Sequence, residues 1–560
     1  MAGNILTPTT IWQKFNISST PLAQVIEEKI CGDIVYTNLY INGQVKGEEC
    51  VKIYATLVSK KGEQKAPAIL LCQDFESGFD NDLVLSFVNN GYSVLSVDIA
   101  GKNENSEFYT IYPQAISYAN YFEVKDNLFN VPTDAMNTCW YEWAVALRYS
   151  LKYLRKQPFV SSVGGFAMGE VATCMWQVAG TDKGLKCVVF ALNAGWRGYQ
   201  GIYKFGGQNE PQFSDNMYKF IAGIEPQAYA MHVECPVLML SPTNSKEYDL
   251  DRSADTVTRI SEKVFSAVHY SVGYIDRVSG EAFSMASLFF DKFLSSRTSK
   301  FNPESDISCE IKNGKLEIKV STNGKPRRIE LYASEEIFVP AERSWVKVCD
   351  FEKVDNCYCF EYLPYHLSGQ ATFFAQIYYD NGFILSTRVI NKKFSPEEVA
   401  FKHKSKILYS SRICGNESVF TLAHPERLNS SKINIEQAPM VFVDKGPMGI
   451  DGICSKFGLL SFKFNTKKDM PIEGSILMLD VFAKESGVLI IKLISDYFGE
   501  KIEYVCQQNI VGGEVWQNIK VEINKFKTIE GMALKTFDKI NAVEFDMKDG
   551  EFLLNNILWV

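Results

Sequence analysis

The sequence predicts a doubly wound α/β sheet followed by two all-β sandwiches, and three observations carry that reading. From about Ala66 to Ser296, short apolar runs alternate with helical patterns, as a parallel sheet with crossover helices requires. Beyond Ser296 the pattern changes to period-two alternation broken by hairpin turns. A polar stretch, Lys392–Lys406, then separates one all-β block from another. The implied domains are 1–299, with an N-terminal extension, 300–395 and 396–560.

Within the first domain the strands are Ala68–Cys72, Tyr92–Asp98, Val163–Phe166, Cys187–Leu192, Val237–Ser241 and Val264–Tyr270, each short and apolar. Trp140, Trp143, Ala144, Leu147, Leu151 and Leu154 recur at three- and four-residue steps, which places one apolar stripe on a helix before the third of these strands. In the second domain, Glu310–Lys312, Asn313-Gly314 and Lys315–Val320 spell a hairpin with a two-residue turn that needs left-handed backbone. Tyr378–Tyr379, Asp380-Asn381-Gly382 and Phe383–Thr387 repeat the device with a longer turn, and the block fits an immunoglobulin-like sandwich. The third domain shows strands at Leu459–Phe464, Ser475–Phe482, Gly487–Ile494, Val515–Ile523, Ala542–Met547 and Phe552–Val560, the pattern of a jelly-roll sandwich.

Composition narrows the function classes. The 560 residues are 46% hydrophobic and 22% charged, so a large core forms and disorder is excluded. With 58 basic against 66 acidic residues the net charge is -8, which offers no footprint for a nucleic-acid backbone or an anionic membrane surface. No run approaches the ~18 apolar residues that spanning a bilayer needs, and the first thirty residues lack a basic start and an apolar core. The 14 cysteines include no C-x-x-C pair, so they read as small buried hydrophobes in a reducing, cytoplasmic setting unless a leader has been removed. Neither a metal nor a cofactor is called for, and the expected partner is a small molecule or saccharide.

One segment stands apart. Val163-Gly164-Gly165-Phe166-Ala167-Met168-Gly169-Glu170 runs from strand to helix through closely spaced glycines, the setting of a nucleophile elbow. Read as the pentad Gly165–Gly169, it puts alanine, Ala167, where a nucleophile belongs, and a methyl group attacks nothing. Together with Val97-Asp98-Ile99-Ala100-Gly101, Trp140-Tyr141-Glu142-Trp143 and Asn193-Ala194-Gly195-Trp196, this segment resembles the α/β-hydrolase superfamily, in its branch of acetyl-xylan esterases and dienelactone hydrolases, over roughly Lys52 to Leu294.

That resemblance implies an acid after the strand Val237–Ser241 and a histidine in the loop after Val264–Tyr270. The acid position falls at Ser245, with Asp249 and Asp251 close behind, Asp249 as a possible substitute. The loop Gly273-Tyr274-Ile275-Asp276-Arg277 has no histidine, His269 lies within the strand, and the next is His366. It also implies an oxyanion hole from backbone N–H groups of Met168 and of the loop Gln73-Asp74-Phe75. Losing serine or histidine from such a triad costs on the order of 10⁶ in turnover. Two functions stay open: a non-catalytic relative of carbohydrate esterases that binds a saccharide or acylated ligand, and an active ester hydrolase, either because its serine was replaced at Ala167 or because an unconventional base such as Asp249, His232 or His269 acts from elsewhere.

Other candidates have plainer readings. Asp74, Glu76, Asp80 and Asp82 crowd one loop but not at EF-hand spacing, which fits a solvated acidic loop better than a calcium site. Cys174 falls about two helical turns past Ala167 and reads as core. The stretches Val515–Ile519 and Asn555–Val560 resemble late strands of carbohydrate-binding jelly rolls; Trp516 and Trp559 read as core there, leaving Tyr497-Phe498 as the exposed aromatic pair for a sugar face.

Overall fold

Three antiparallel strands open the main sheet: β1 (Ala23–Cys31), β2 (Ile34–Lys46) and β3 (Glu49–Lys60). Only one of their faces is apolar, with Leu39, Ile41, Ile53 and Ala55 buried and most of β1 exposed. No continuous apolar run marks them, so they lie in what the sequence shows only as an N-terminal extension. The computed structural model describes residues 5–560 apart from 63–64, 197–213, 296, 298–302, 336–338, 349–350, 355–356, 365–368, 396, 400–406, 414, 428–440, 465–469 and 548–549. His366 therefore lies outside the described residues, as does much of the predicted linker.

The strands that follow are β4 (Ala66–Cys72), β5 (Ser93–Val97), β6 (Val160–Met168), β7 (Val188–Ala191), β8 (Val237–Pro242) and β9 (Ser266–Ser271). Their order is β1-β2-β3-β5-β4-β6-β7-β8-β9, with β3 antiparallel to β5 and every pair from β5 to β9 parallel. This mixed α/β sheet, followed by all-β units, is the fold class the sequence predicts. Helices cover both faces. Asn81–Asn89 and Gly280–Phe293 pack Leu83, Phe87, Phe283 and Phe290 on one side. On the other, Cys139–Arg155 and Ala172–Thr181 pack Trp140, Trp143, Cys174 and Trp176. Both indoles of the longer helix are fully buried and satisfied, Trp140 donating to Leu128 O at 2.9 Å and Trp143 to Ala119 O at 2.7 Å. Each such side chain contributes on the order of 2–3 kcal/mol by burial.

The second unit contains β10 (Ser305–Lys312), β11 (Lys315–Thr322), β12 (Pro326–Glu335), β13 (Val346–Val348), β14 (Phe351–Val354), β15 (Cys357–Tyr362), β16 (Gly369–Tyr379), β17 (Ile384–Ser386) and β18 (Ile390–Phe394). The β10–β11 turn is left-handed at both Asn313 (φ +49°) and Gly314 (φ +72°), as its sequence requires. One sheet runs β10-β11-β15-β14. The other is a continuation of the main sheet: β17 pairs with β9 through Ser386 and Val268, and the order goes on to β16, β12 and β13. Chain order separates the two units near residue 300, but one sheet runs through both. Lys392–Phe394, read from sequence as linker, belongs to β18 and pairs with β16 through Gln370 and neighbours.

The third unit is two antiparallel sheets face to face. One takes Phe442–Lys445, Asp451–Cys454, Phe552–Trp559, Ile476–Ala483 and Gln517–Glu522 in that order, with Ile407–Tyr409 on Phe552–Trp559. The other takes Thr421–Leu422, Leu459–Ser461, Ile540–Met547, Gly487–Ser495 and Ile502–Ile510. Leu477, Leu479, Ile491, Phe545 and Trp559 fill the space between.

Candidate active site

A nucleophile elbow needs the strand to end at the attacking residue and the helix to begin just after it. Here β6 runs through Ala167 to Met168, with Ala167 paired opposite Phe190 of β7 and fully buried. The left-handed residue is Gly169, at φ +69°, which opens the 3₁₀ turn Gly169–Val171 ahead of the helix Ala172–Thr181. The bend thus lies two residues past the position read from sequence. Phe166-Ala167-Met168 is as apolar as the strand before it, and it continues the strand. Ala167 is a core residue, and the residue at the bend has no side chain at all.

Around Gly169 the groups are polar. A Cβ added there would lie 3.7 Å from both Asp74 Oδ2 and Tyr248 Oη, so the bend opens onto a carboxylate and a phenol. Asp74 Oδ1 accepts from the N–H groups of Glu76 and Ser77, both at 3.0 Å, which folds the loop into a turn. Phe75 points away, stacked on Tyr121 with centroids 4.4 Å apart and tilted against Trp143. Tyr121 Oη lies 3.4 Å from Glu76 Oε1; burial first, then the charges of Glu170, Glu76 and Asp74, push its phenol above the ordinary range. A cavity of about 260 Å³ opens between this loop and β6, lined by Gln73, Asp74, Asp80, Asp82, Phe166 and Met168 among others. The N–H of Gln73 donates to Val97 O at 2.9 Å, so the sheet takes one of the donors expected for an oxyanion hole. Asp80, too, is engaged, accepting from Leu83 N at 3.0 Å as the cap of Asn81–Asn89.

The two partner loops meet each other. Ser245, after β8, donates its hydroxyl to Asp276 Oδ1, in the loop after β9, and its oxygen accepts from Tyr248 N at 3.0 Å. Ser245 is buried, and Asp276 is held at φ +50°. The loops that would hold an acid and a histidine hold instead a hydroxyl and a carboxylate. Asp249 does not substitute: it is buried and caps Leu250–Thr258, accepting from Asp251 N at 2.8 Å and Arg252 N at 3.1 Å, while burial pushes its carboxyl up to about 6. His269 leaves the site as its strand position implies. Its Nδ1 lies 2.9 Å from Ile384 O, and burial pulls the imidazole down to about 4, so it is neutral at physiological pH. His232 sits in the turn after the short helix Pro226–Ala230, and no contact brings it to Gly169 among the described residues. Asp98 is buried and structural, accepting from Ala100 N and Thr110 N at 2.8 and 2.6 Å.

The other units close over these loops. Asn244 Nδ2 donates to Ala341 O and Arg343 O of the second unit, at 3.0 and 2.6 Å. From the third unit, Phe498 O accepts from Lys246 Nζ at 2.8 Å, and Ile275 packs into the cluster of Phe462, Tyr497 and Phe498. Tyr497 and Phe498 are thus half-buried at a seam, against Phe462 at 5.3 and 5.5 Å, rather than an open sugar face. Trp559 is core, as expected; Trp516 instead lies half-buried on an outer sheet face, across Gly446 and Gly452, where added Cβ atoms would approach its ring to 2.6 and 2.7 Å. Gly169, Asp276 and Tyr248 are the residues that sequence reading missed. Asp276 lies in a loop where the fold resemblance points to a histidine and not to a carboxylate, and the signal for Gly169 is the apolar strand that runs on through Met168.

No family model matches the chain, and no curated protein does. Among solved structures it is similar to acetyl xylan esterase 1 from a Thermoanaerobacterium species, at 16% identity and a TM-score of 0.37 over 49% of this chain and 89% of that one. An acetyl xylan esterase from a Paenibacillus species gives 12% identity and 0.37 over 51% and 92%. A cold-adapted esterase from an Arctic intertidal metagenomic library gives 10% and 0.33 over 48% and 99%.

Proposed function

We propose that this chain is a non-catalytic relative of the carbohydrate esterases that binds a saccharide at the carboxyl ends of its parallel strands. The observation that carries this reading is glycine, Gly169, at the bend, together with a Ser245–Asp276 pair in the two loops where acyl transfer needs an acid and an imidazole. Acyl transfer also develops negative charge on an oxyanion, which donors stabilise and nearby carboxylates oppose. The surroundings here are carboxylate-rich, with Asp74 beside the bend and Glu76 and Glu170 close to Tyr121. Carboxylates and phenols accept hydrogen bonds well from hydroxyls, and a polyol supplies those. The names of the similar esterases agree with a saccharide or its acetylated form as ligand.

The experiment is an array of plant and microbial oligosaccharides, acetylated and plain, probed with the full chain and with Asp74→Asn and Tyr248→Phe variants. Binding that falls about tenfold in either variant is the expected result. Binding unchanged in both moves the ligand away from the bend, and acetate release from any oligosaccharide overturns the non-catalytic reading.

A further inference from the structure

At the opposite end of the sheet the molecule reverses its charge. The helix Cys139–Arg155 ends four residues before β6 begins, so its last turns lie at the amino ends of the parallel strands, away from Gly169. Arg148, Lys152, Arg155 and Lys156 fall at helical spacing on one face there, and all four line a cleft of about 370 Å³ closed by Phe15, Asn16 and Ile17 of the N-terminal segment. The one carboxylate in that lining is Asp182.

Cations at a helix C-terminus complement the dipole and often do nothing more. Two features separate this cleft from that case. Two of its cations are built in: Arg148 is 11% exposed, its guanidinium 4.9 Å over Trp12 and 4.5 Å over Phe15, and Lys152 is half-buried with its ammonium donating to Ile17 O. Asp182 is also overcommitted, since it serves both Arg148 at 3.4 Å and Arg155 at 3.9 Å, neither within hydrogen-bonding geometry, and also accepts from Gly184 N at 2.8 Å. Lys156 has no acidic partner among the described residues. Four cations and one shared carboxylate, in a chain of net charge -8, leave a concave site short of negative charge.

We propose that this cleft binds a phosphate-bearing small molecule, its dianionic group held between the Arg148 and Arg155 guanidiniums and the Lys152 and Lys156 ammoniums. Forked guanidiniums suit a phosphate, and paired lysines accept a second one. The probe is inorganic pyrophosphate, titrated calorimetrically into the full chain at fixed ionic strength, with sulfate as a parallel arm. Saturable binding at one site is expected, weakened about tenfold or more in the Arg155→Gln/Lys156→Gln double variant. Both substituted side chains are exposed, so the unliganded melting temperature stays put. A Lys520→Gln/Lys525→Gln variant, changed on the third unit, binds as the unmodified chain does. Sulfate binding as tightly as pyrophosphate, no saturable heat, equal affinity in the first variant, or equal loss in the second each overturns the proposal.

Discussion

Arg343 of the second unit grips Asp251 of the first with both arms of its guanidinium, Nη1 to Oδ1 at 2.6 Å and Nη2 to Oδ2 at 2.7 Å, and both side chains are buried. Asp251 follows the loop where a hydrolase would hold its catalytic acid, and Asn244, at the start of that loop, binds Arg343 O. The acid loop is thereby a joint between units. Asn541 of the third unit reaches the same place through Glu342 Oε1 at 2.9 Å, so three units converge on one turn.

Breaking that pair leaves a buried charge without its partner. Arg343→Ala is expected to cost about 3–5 kcal/mol, whereas Arg343→Met combined with Asp251→Leu costs far less, because an apolar pair needs no compensation. Calorimetric unfolding of the two variants measures the difference.

Gly169 tests the bend itself. Serine fits there sterically, since the nearest atoms to an added Cβ are 3.7 Å away, and the left-handed backbone costs about 1 kcal/mol. Gly169→Ser alone is expected to fold and to release no acetate from acetylated xylan. The triple change Gly169→Ser, Ser245→Asp, Asp276→His places the three groups on the loops that now hold glycine, hydroxyl and carboxylate, and is expected to gain measurable hydrolysis.

The parallel strands were legible because they are buried on both faces and read as continuous apolar runs; β6 to β9 fall where those runs lie. Strands β1 to β3 were not, since one face of that hairpin is open and its alternation is diluted by Glu27, Glu28 and Lys29. The loss of the histidine was legible from the loop Gly273–Arg277. The bend was misplaced by two residues because glycine spacing alone does not show where a strand stops, and the seam around Tyr497 was hidden because it depends on a contact between units distant in sequence.

In the third unit, His424 lies 3.2 Å from Glu544 and 3.4 Å from Asp546, which raises its imidazole to about 9. A folded-state value above the unfolded value of ~6.5 stabilises fully below that pH, and the contribution is lost as pH rises through about 9. The stability difference between the unmodified chain and His424→Gln is expected to be about 1–2 kcal/mol at pH 6 and to vanish by about pH 10. Chemical denaturation at both pH values reads it.

Phe462 packs with Tyr497 and Phe498 to form the third unit's side of the seam, on which Ile275 of the first unit packs. Phe462→Ala is expected to cost about 3–4 kcal/mol and to expose the loop carrying Asp276 and Arg277. Limited tryptic digestion should then cut after Arg277 several times faster than in the unmodified chain.

The proposal that the bend at Gly169 does not carry out acyl transfer is tested most directly by incubating the purified full chain with acetylated xylan and measuring free acetate. Release indistinguishable from the buffer blank is the outcome expected from a bend without a side chain. Release well above the blank, abolished by a serine-directed phosphonate, would mean that an intact nucleophile and base operate in this chain.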